Sequence, residues 1–319
     1  MAFHKQKQIH FTFNGEAQGT SYLISYYHVK EYVTQKEVDS ILLVIDDSMS
    51  LYKPNSLISK INDSPLGGEL DSHFLNVMQK SIEINQETNG LFDVTVAPLV
   101  AAWGFSAEKV ENFPDSVKIS QILPFIGMQN IHLDGNNLEK LNSNVKIDLN
   151  GIAQGYTVDV LADYFLNKGI RNFLIEIGGE IRVEGEKPTG EDFYLGIEGP
   201  INSFDSEVAI KHVAIIKGKA LTTSGSYRNY IQKGAKKITH IIDPKTGYPT
   251  QSDILSVTVL AKDAITADGY DNALLAMGIK DAMIFLDKHP DLEAYFVYRN
   301  NKGNVVDTMT NGFKNILKN

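Results

Sequence analysis

After Thr34, apolar residues recur on one helical face at Val38, Ile41, Leu42 and Ile45, the i, i+3, i+4, i+7 spacing of an amphipathic helix. Thr34 and Glu37 have the types and spacing of a capping box, so a helix is expected over residues 35–50. The same periodicity predicts a second helix from Ser72 to Asn89, with Phe74, Val77, Met78 and Ile84 turned inward and Gly90 as its stop. A third is expected from Ile152 to Lys168, closed by Gly169. A fourth begins near Thr266 and ends near Gly278, and a fifth stops before Pro290. Strand-like stretches lie between them at Gln8–Phe13, Ser21–Tyr27, Phe173–Glu184, His212–Leu221, His240–Asp243 and Leu255–Ala261. Arg299 to Gly303 reads as a hairpin turn joining Ala294–Tyr298 to Val305–Met309. Long helices mixed irregularly with hairpins predict an α+β fold rather than a regular parallel alternation.

With 319 residues, 43% hydrophobic and 22% charged, the chain can bury a sizeable core. It shows no internal repeat, low-complexity tract or clear linker, and the polar stretch Gly185–Ser206 reads as a surface excursion. A single domain over residues 8–319 is therefore expected, with residues 1–7 as the remnant of a leader. A formal charge of −9, with no basic block interleaved with aromatics, argues against nucleic acid as a partner. The absence of cysteine removes disulfides, thiolate nucleophiles and Cys-based zinc sites. The longest apolar run, Ile41–Ile45, falls far short of a transmembrane segment. An acidic chain that binds an anion needs a local device: a bound cation, a helix N-terminus or a loop of backbone N–H groups.

Several stretches carry candidate chemistry. Asp268, Asp271 and Asn272 stand at i, i+3 and i+4, so their oxygens share a helix face. Hard oxygen donors of that kind suit Mg²⁺, while helix N-capping is the plain alternative. Asp148 to Asp159, with Gly151, Gln154 and Gly155, reads as a strand end, a glycine turn and a helix start, the geometry of a phosphate site or of a purely steric turn. Gly178 and Gly179 interrupt a strand, marking a bulge or a close backbone approach. Thr222 to Arg228, including Ser224, Gly225 and Ser226, is a hydroxyl-rich turn ending in a cation. His240 enters a short strand that ends in an Asp-Pro-x-x-Gly turn, and it is suited to proton transfer because its ordinary pKa lies near neutrality. Gly90 to Val100 and Trp103-Gly-Phe105 surround a turn with aromatics and an acid, and the lone Trp103 fits a core role. Tyr52 is available to stack on a ring or to pack inward.

In chain order, the segments Gly19–Tyr22, Ser50–Asn62, Gly90–Thr95, Asp148–Asp159, Gly178-Gly179, Thr223–Gly225, His240–Gly247 and Ala267–Gly278 resemble the ApbE family of FAD:protein FMN transferases. The resemblance covers nearly the whole chain. It implies an α+β fold with a core related to the tunnelling T-fold and FAD in a cleft beside it. It also implies Mg²⁺ held by Asp268, Asp271, Asn272 and the carbonyl of Gly151. FAD contacts would come from Gln18, Tyr52, Leu91, Phe92, Asp93, Asp148, Gln154 and Ile242, with Ser224, Gly225, Gly178 and Gly179 along the same cleft. Three positions depart from the family's usual residues: Gln154 replaces a lysine, Asn272 a threonine and Gln18 a methionine. The first exchanges a positive charge for a neutral amide, which bears on affinity and on the balance of transfer against hydrolysis.

The implied reaction is transfer of FMN from FAD to a threonine hydroxyl of a partner protein, with His240 as base and AMP as leaving group. An FAD pyrophosphatase using water at the same site, and a flavin-binding protein without turnover, are the competing readings. The partners implied are flavin-accepting subunits of membrane redox complexes. The location implied is exported, either periplasmic or anchored as a lipoprotein, with cytoplasm as the alternative.

Overall fold

The computed structural model describes residues 7–106, 110, 112–199, 210–225, 230–233 and 236–318. Eight strands form one sheet, and every neighbouring pair is antiparallel. Their spatial order is also their chain order: Ile9–Ala17, Thr20–His28, Phe173–Ile177, Glu180–Glu184, Lys219–Gly225, Ile254–Ala261, Glu293–Arg299 and Val305–Met309. The fold is α+β, as the mixture of long helices and hairpins predicts.

Helices Ala153–Asn167 and Ala264–Met277 cover one face of this sheet. Alternation along Thr20–His28 turns Tyr22, Ile24 and Tyr26 towards Leu161 and Phe165 of the first helix. Val257 and Val259 face Leu274 on the second. The opposite face is covered by strands Tyr194–Glu198 and Ile210–Ile215, whose Leu195, Ile197 and Ala214 meet Val183, Leu221 and Leu260. Ile254–Ala261 is thus covered on both sides, which explains its nearly continuous apolar sequence and burial.

Local signals fixed several elements. The expected capping box is present: Glu37 N–H donates to Thr34 Oγ1, and Thr34 N–H donates to Glu37 Oε2 at 2.8 Å, opening the helix Gln35–Met49. Helices Ser72–Glu87 and Ile279–Leu286 and the 294–309 hairpin also lie where the pattern places them. The stretch Phe173–Glu184 is two strands folded about Gly178-Gly179, both at positive φ. The expected strand His240–Asp243 does not form. The strand is Lys236–Thr239, and the following residues make only an isolated bridge between Ile242 and Pro249. The Asp243–Gly247 turn instead closes on itself through Gly247 N–H to Asp243 O, and Trp103 Nε1 pins it by donating to Gly247 O. Trp103 is therefore a packing residue.

The two sheet-covering helices approach closely at Gly155. A Cβ there would lie 2.3 Å from the carbonyl oxygen of Ala264 and 2.7 Å from Asp268 Cβ. Asp159, one turn further along, accepts hydrogen bonds from the N–H groups of Ala264 and Ile265, at 2.9 and 2.8 Å, and from Arg182 at 2.7 Å. A carboxylate of one helix thus satisfies the free N-terminus of the other. Gly155→Ala is expected to lower the unfolding free energy by about 1–3 kcal/mol through overpacking, a loss to be read in urea unfolding.

Candidate active site

A cleft of about 680 Å³ opens where these helices meet the loops at the end of the sheet. Its walls bring together Tyr52, Leu91, Phe92, Asp93, Asp148, Gly151, Gln154, Gly178, Ser224, Gly225, His240, Ile242, Asp268, Asp271 and Asn272. Of the expected site residues, only Gln18 and Gly179 fall outside the lining. Gln18 sits at φ +53 in the tight turn between the first two strands, and its amide donates to Thr157 Oγ1 at 2.8 Å. Gly179 faces away at the tip of its turn, its N–H held by Glu176 Oε1. Ser226 and Arg228 lie outside the described residues.

One wall is the Ala264–Met277 helix. Asp263 is its N-cap, accepting from Thr266 N–H. Asp268 and Asp271 therefore lie beyond the first turn, and capping does not explain them. Their relative exposures are 5% and 1%, so both carboxylates face the interior of the cleft. Asp268 Oδ2 accepts from Gly155 N–H at 2.8 Å, and Asp271 Oδ2 from Thr222 Oγ1 at 2.8 Å. Asp271 Oδ1 has no hydrogen-bond partner. Burial pushes the Asp268 carboxyl up to about 7, with the Asp159 charge acting in the same direction. Burial and the neighbouring Asp268 likewise raise Asp271.

The second wall is the glycine turn before Ala153–Asn167. The N-cap residue Ile152 offers no side-chain acceptor; Ala153 N–H donates to Leu149 O, and Gly155 N–H, in the first turn, to Asp268 Oδ2. The Asp148 side chain folds back to accept from Asn150 N–H at 2.8 Å, and burial raises its carboxyl above the ordinary range. Asn272 links the two walls: its Nδ2 donates to Gly151 O and to Asp268 O, both at 3.2 Å, while its Oδ1 faces Ser224 Oγ. The Gln154 amide packs on Gly178, where an added Cβ would lie 2.7 Å from Gln154 Nε2.

The opposite wall carries the 91–93 turn. Asp93 is consumed by structure: Oδ1 accepts from Thr95 N–H and Oγ1, and Oδ2 from Met128 N–H. Its contribution to the cleft is the shape of the turn, which Asp148 N–H ties down by donating to Val94 O at 2.7 Å. His240 stands at the mouth beside Phe105, with ring centroids 6.3 Å apart. Tyr52, 69% exposed, stands at the rim. A second cavity of about 810 Å³ adjoins the cleft and shares Asp93 and Pro244 with it.

The sequence reading missed Glu180, which is buried, lines the cleft and has an unpartnered Oε2. Thr222, expected to open a hydroxyl-rich turn, instead lies buried in the strand Lys219–Gly225 and aims its hydroxyl at Asp271. Glu180 carries no motif signal, although a polar residue on a strand beside a helix of buried acids would have suggested it.

The donor set fits a hard divalent cation. An unpartnered carboxylate oxygen, a second buried carboxylate and the Gly151 carbonyl converge, and among the described residues neither Asp268 nor Asp271 forms an ion pair. Among the same residues no three acidic or imidazole side chains make a closed cage. That suits Mg²⁺, which binds through one or two carboxylates and keeps several waters.

A sequence profile described as the ApbE family matches residues 18–296. The FAD:protein FMN transferase of Haemophilus influenzae is 33% identical over 320 residues, covering 96% of this chain and 91% of the relative. That of Vibrio cholerae is 36% identical over 284 residues, covering 87% and 84%. Among solved structures, the flavin transferase ApbE from Vibrio cholerae superposes with a TM-score of 0.87 at 32% identity, covering 98% of this chain and all (100%) of that one. The apo form of the Pseudomonas stutzeri flavinyl transferase ApbE gives 0.86 at 29% identity, covering 99% and 98%.

The raised Asp268 carboxyl makes stability depend on pH with a definite sign. Its folded-state pKa of about 7 lies above the unfolded value of about 4, so the folded state holds the proton longer. Stability is lost as pH rises through that window. Asp268→Asn still offers an oxygen to Gly155 N–H but does not titrate. In chelator, its stability relative to wild type is expected to climb between about pH 4 and pH 7, as measured by denaturant unfolding at each pH.

Proposed function

The chain belongs to the ApbE family, and from that premise we propose that its cleft moves the FMN half of FAD onto a threonine hydroxyl of a partner protein. The enzyme is an FAD:protein FMN transferase. The observation that best supports the site assignment is the unpartnered Oδ1 of buried Asp271, which shares one cleft with the glycine turn before Ala153–Asn167 and with His240.

In this reading Asp268, Asp271 and the Gly151 carbonyl hold Mg²⁺, with Asn272 beside them. The bound ion supplies neutralisation of pyrophosphate charge as the leaving group departs. The glycine turn leading into Ala153–Asn167 takes the phosphate oxygens beside that ion, and Tyr52 at the rim provides a face for the flavin ring. His240 accepts the proton of the acceptor hydroxyl. The hydroxyl oxygen attacks the FMN phosphorus, the bond from that phosphorus to the bridging oxygen breaks, and AMP leaves with that oxygen. The products are a phosphoester-linked FMN on the acceptor and free AMP. Water in place of the hydroxyl would give FMN and AMP, so exclusion of water until the acceptor docks decides between transfer and hydrolysis.

Two further parts of the reading rest on the family resemblance. The acceptors are subunits of membrane redox complexes, and the enzyme works outside the cytoplasmic membrane, in the periplasm or anchored as a lipoprotein. Among the described residues no helix is long and apolar enough to cross a membrane.

The test combines the protein with FAD, Mg²⁺ and a candidate acceptor subunit, and reads the acceptor's intact mass for added FMN. Transfer with slow AMP release in the absence of acceptor is the expected result. Rapid AMP release without acceptor would make the protein a pyrophosphatase. His240→Ala is expected to cut transfer about 10²–10⁴-fold while FAD binding, followed by flavin fluorescence, stays near wild type. Full transfer by the variant would remove His240 from the mechanism.

A further inference from the structure

Glu180 opens the strand after the Gly178-Gly179 turn and points into the cleft, at 7% relative exposure. Its Oε2 has no hydrogen-bond partner. An unpaired buried carboxylate is costly and persists where something else satisfies it. Arg182, two residues along the strand, is not that partner: its NH1 is committed to Asp159 at 2.7 Å, and no ion pair joins it to Glu180 among the described residues. Across the cavity Asp271 leaves Oδ1 unpartnered as well. A strand and a helix thus aim one free, buried acidic oxygen each into the same space. The two charges also feel each other and Asp268, and burial with this repulsion raises both carboxyls well above the ordinary range. Among the described residues no group of three acidic or imidazole side chains is arranged to hold one ion together, so Glu180 is not taken as a third direct ligand.

We propose that Glu180 is an outer carboxylate of the divalent-cation site, positioned to hold the cation across a water and to raise its affinity by its charge. The inference rests on the cation site described above and extends it to a residue that is neither helical nor adjacent in sequence to the ligands. Partners outside the direct ligand set commonly change metal affinity by about 10–100-fold when removed.

The experiment titrates Mn²⁺ into the purified, FAD-free protein, reading free Mn²⁺ by electron paramagnetic resonance, and repeats it with Mg²⁺ by calorimetry. Glu180→Gln is expected to weaken cation binding about 10–100-fold. Asp271→Asn should abolish it, and Glu180→Asp, which keeps the charge, should fall between wild type and Glu180→Gln. In chelator, Glu180→Gln should melt at or above the wild-type temperature, because the ionisable group that Asp268 repels in a buried place has been replaced by a neutral amide. Affinity within twofold of wild type would overturn the proposal. So would loss as complete as in Asp271→Asn, which would make Glu180 a direct ligand, or a lower melting temperature in chelator, which would make its role structural. Failure of the wild-type protein to bind either cation would instead overturn the cation site itself.

Discussion

Everything in the cleft depends on the close crossing of the helices Ala153–Asn167 and Ala264–Met277 at Gly155. With no side chain at that position, the backbone of one helix reaches the other, and the Gly155 N–H meets the Asp268 carboxylate directly. Asp159 locks the crossing by accepting from the first two N–H groups of the second helix. These contacts draw Asp268 and Asp271 against the glycine turn at Gly151 and the amino end of the first helix. The amino end of one helix and the carboxylates of the other therefore meet at one wall of the cleft, the arrangement from which the cation site is proposed.

The same packing sets up an electrostatic conflict. Asp268, Asp271 and Glu180 are all buried around one cavity in a protein of net charge −9. Among the described residues, neighbouring Asp159, outside the cavity, has a cation in Arg182, whereas these three form no ion pair. Burial is the first cause of the upward shift of each, and repulsion from Asp159 on Asp268, from Asp268 on Glu180 and from Asp268 and Glu180 on Asp271 adds to it. An arrangement of this kind costs folding stability and is more useful to a ligand than to the fold. It also gives an acidic protein a means to take up a pyrophosphate: charge that opposes the anion becomes charge that recruits a metal for it.

Features written in neighbouring residues were legible in the sequence. The Thr34–Glu37 box, the 35–50 and 72–89 periodicities and the 294–309 hairpin need only local information, and each forms within two residues of its expected bounds. The acids of the Ala264–Met277 helix were legible as a shared face, but not as buried. A shift of two residues in the helix start, from Thr266 to Ala264, decides whether Asp268 lies in the first turn or beyond it, and Asp263 takes the cap. Features that depend on distant partners stayed hidden. The region His240–Asp243 has strand-like composition, yet its order comes from its own Asp243–Gly247 turn and from Trp103, well over 100 positions away. Glu180 gives no signal either, because alternation along a strand says which residues share a face but not which face meets the cleft.

The departures at Gln154 and Asn272 can be judged from what these side chains touch. Asn272 spends its amide N–H groups on Gly151 O and Asp268 O and turns its oxygen to Ser224. A hydroxyl in that place would reach neither carbonyl with two donors at once. The asparagine thus braces the two walls beside the proposed cation site. Gln154 lies over Gly178, where the positive φ and the missing Cβ make room for its amide. A lysine there would bring a charge to the cleft, and its absence leaves the helix N-terminus and the cation as the sources of positive potential along that wall. With the proposed cation in place, anion binding would depend more on that cation than it would with a lysine at position 154, and the role proposed for Glu180 acts on the same dependence from the opposite side.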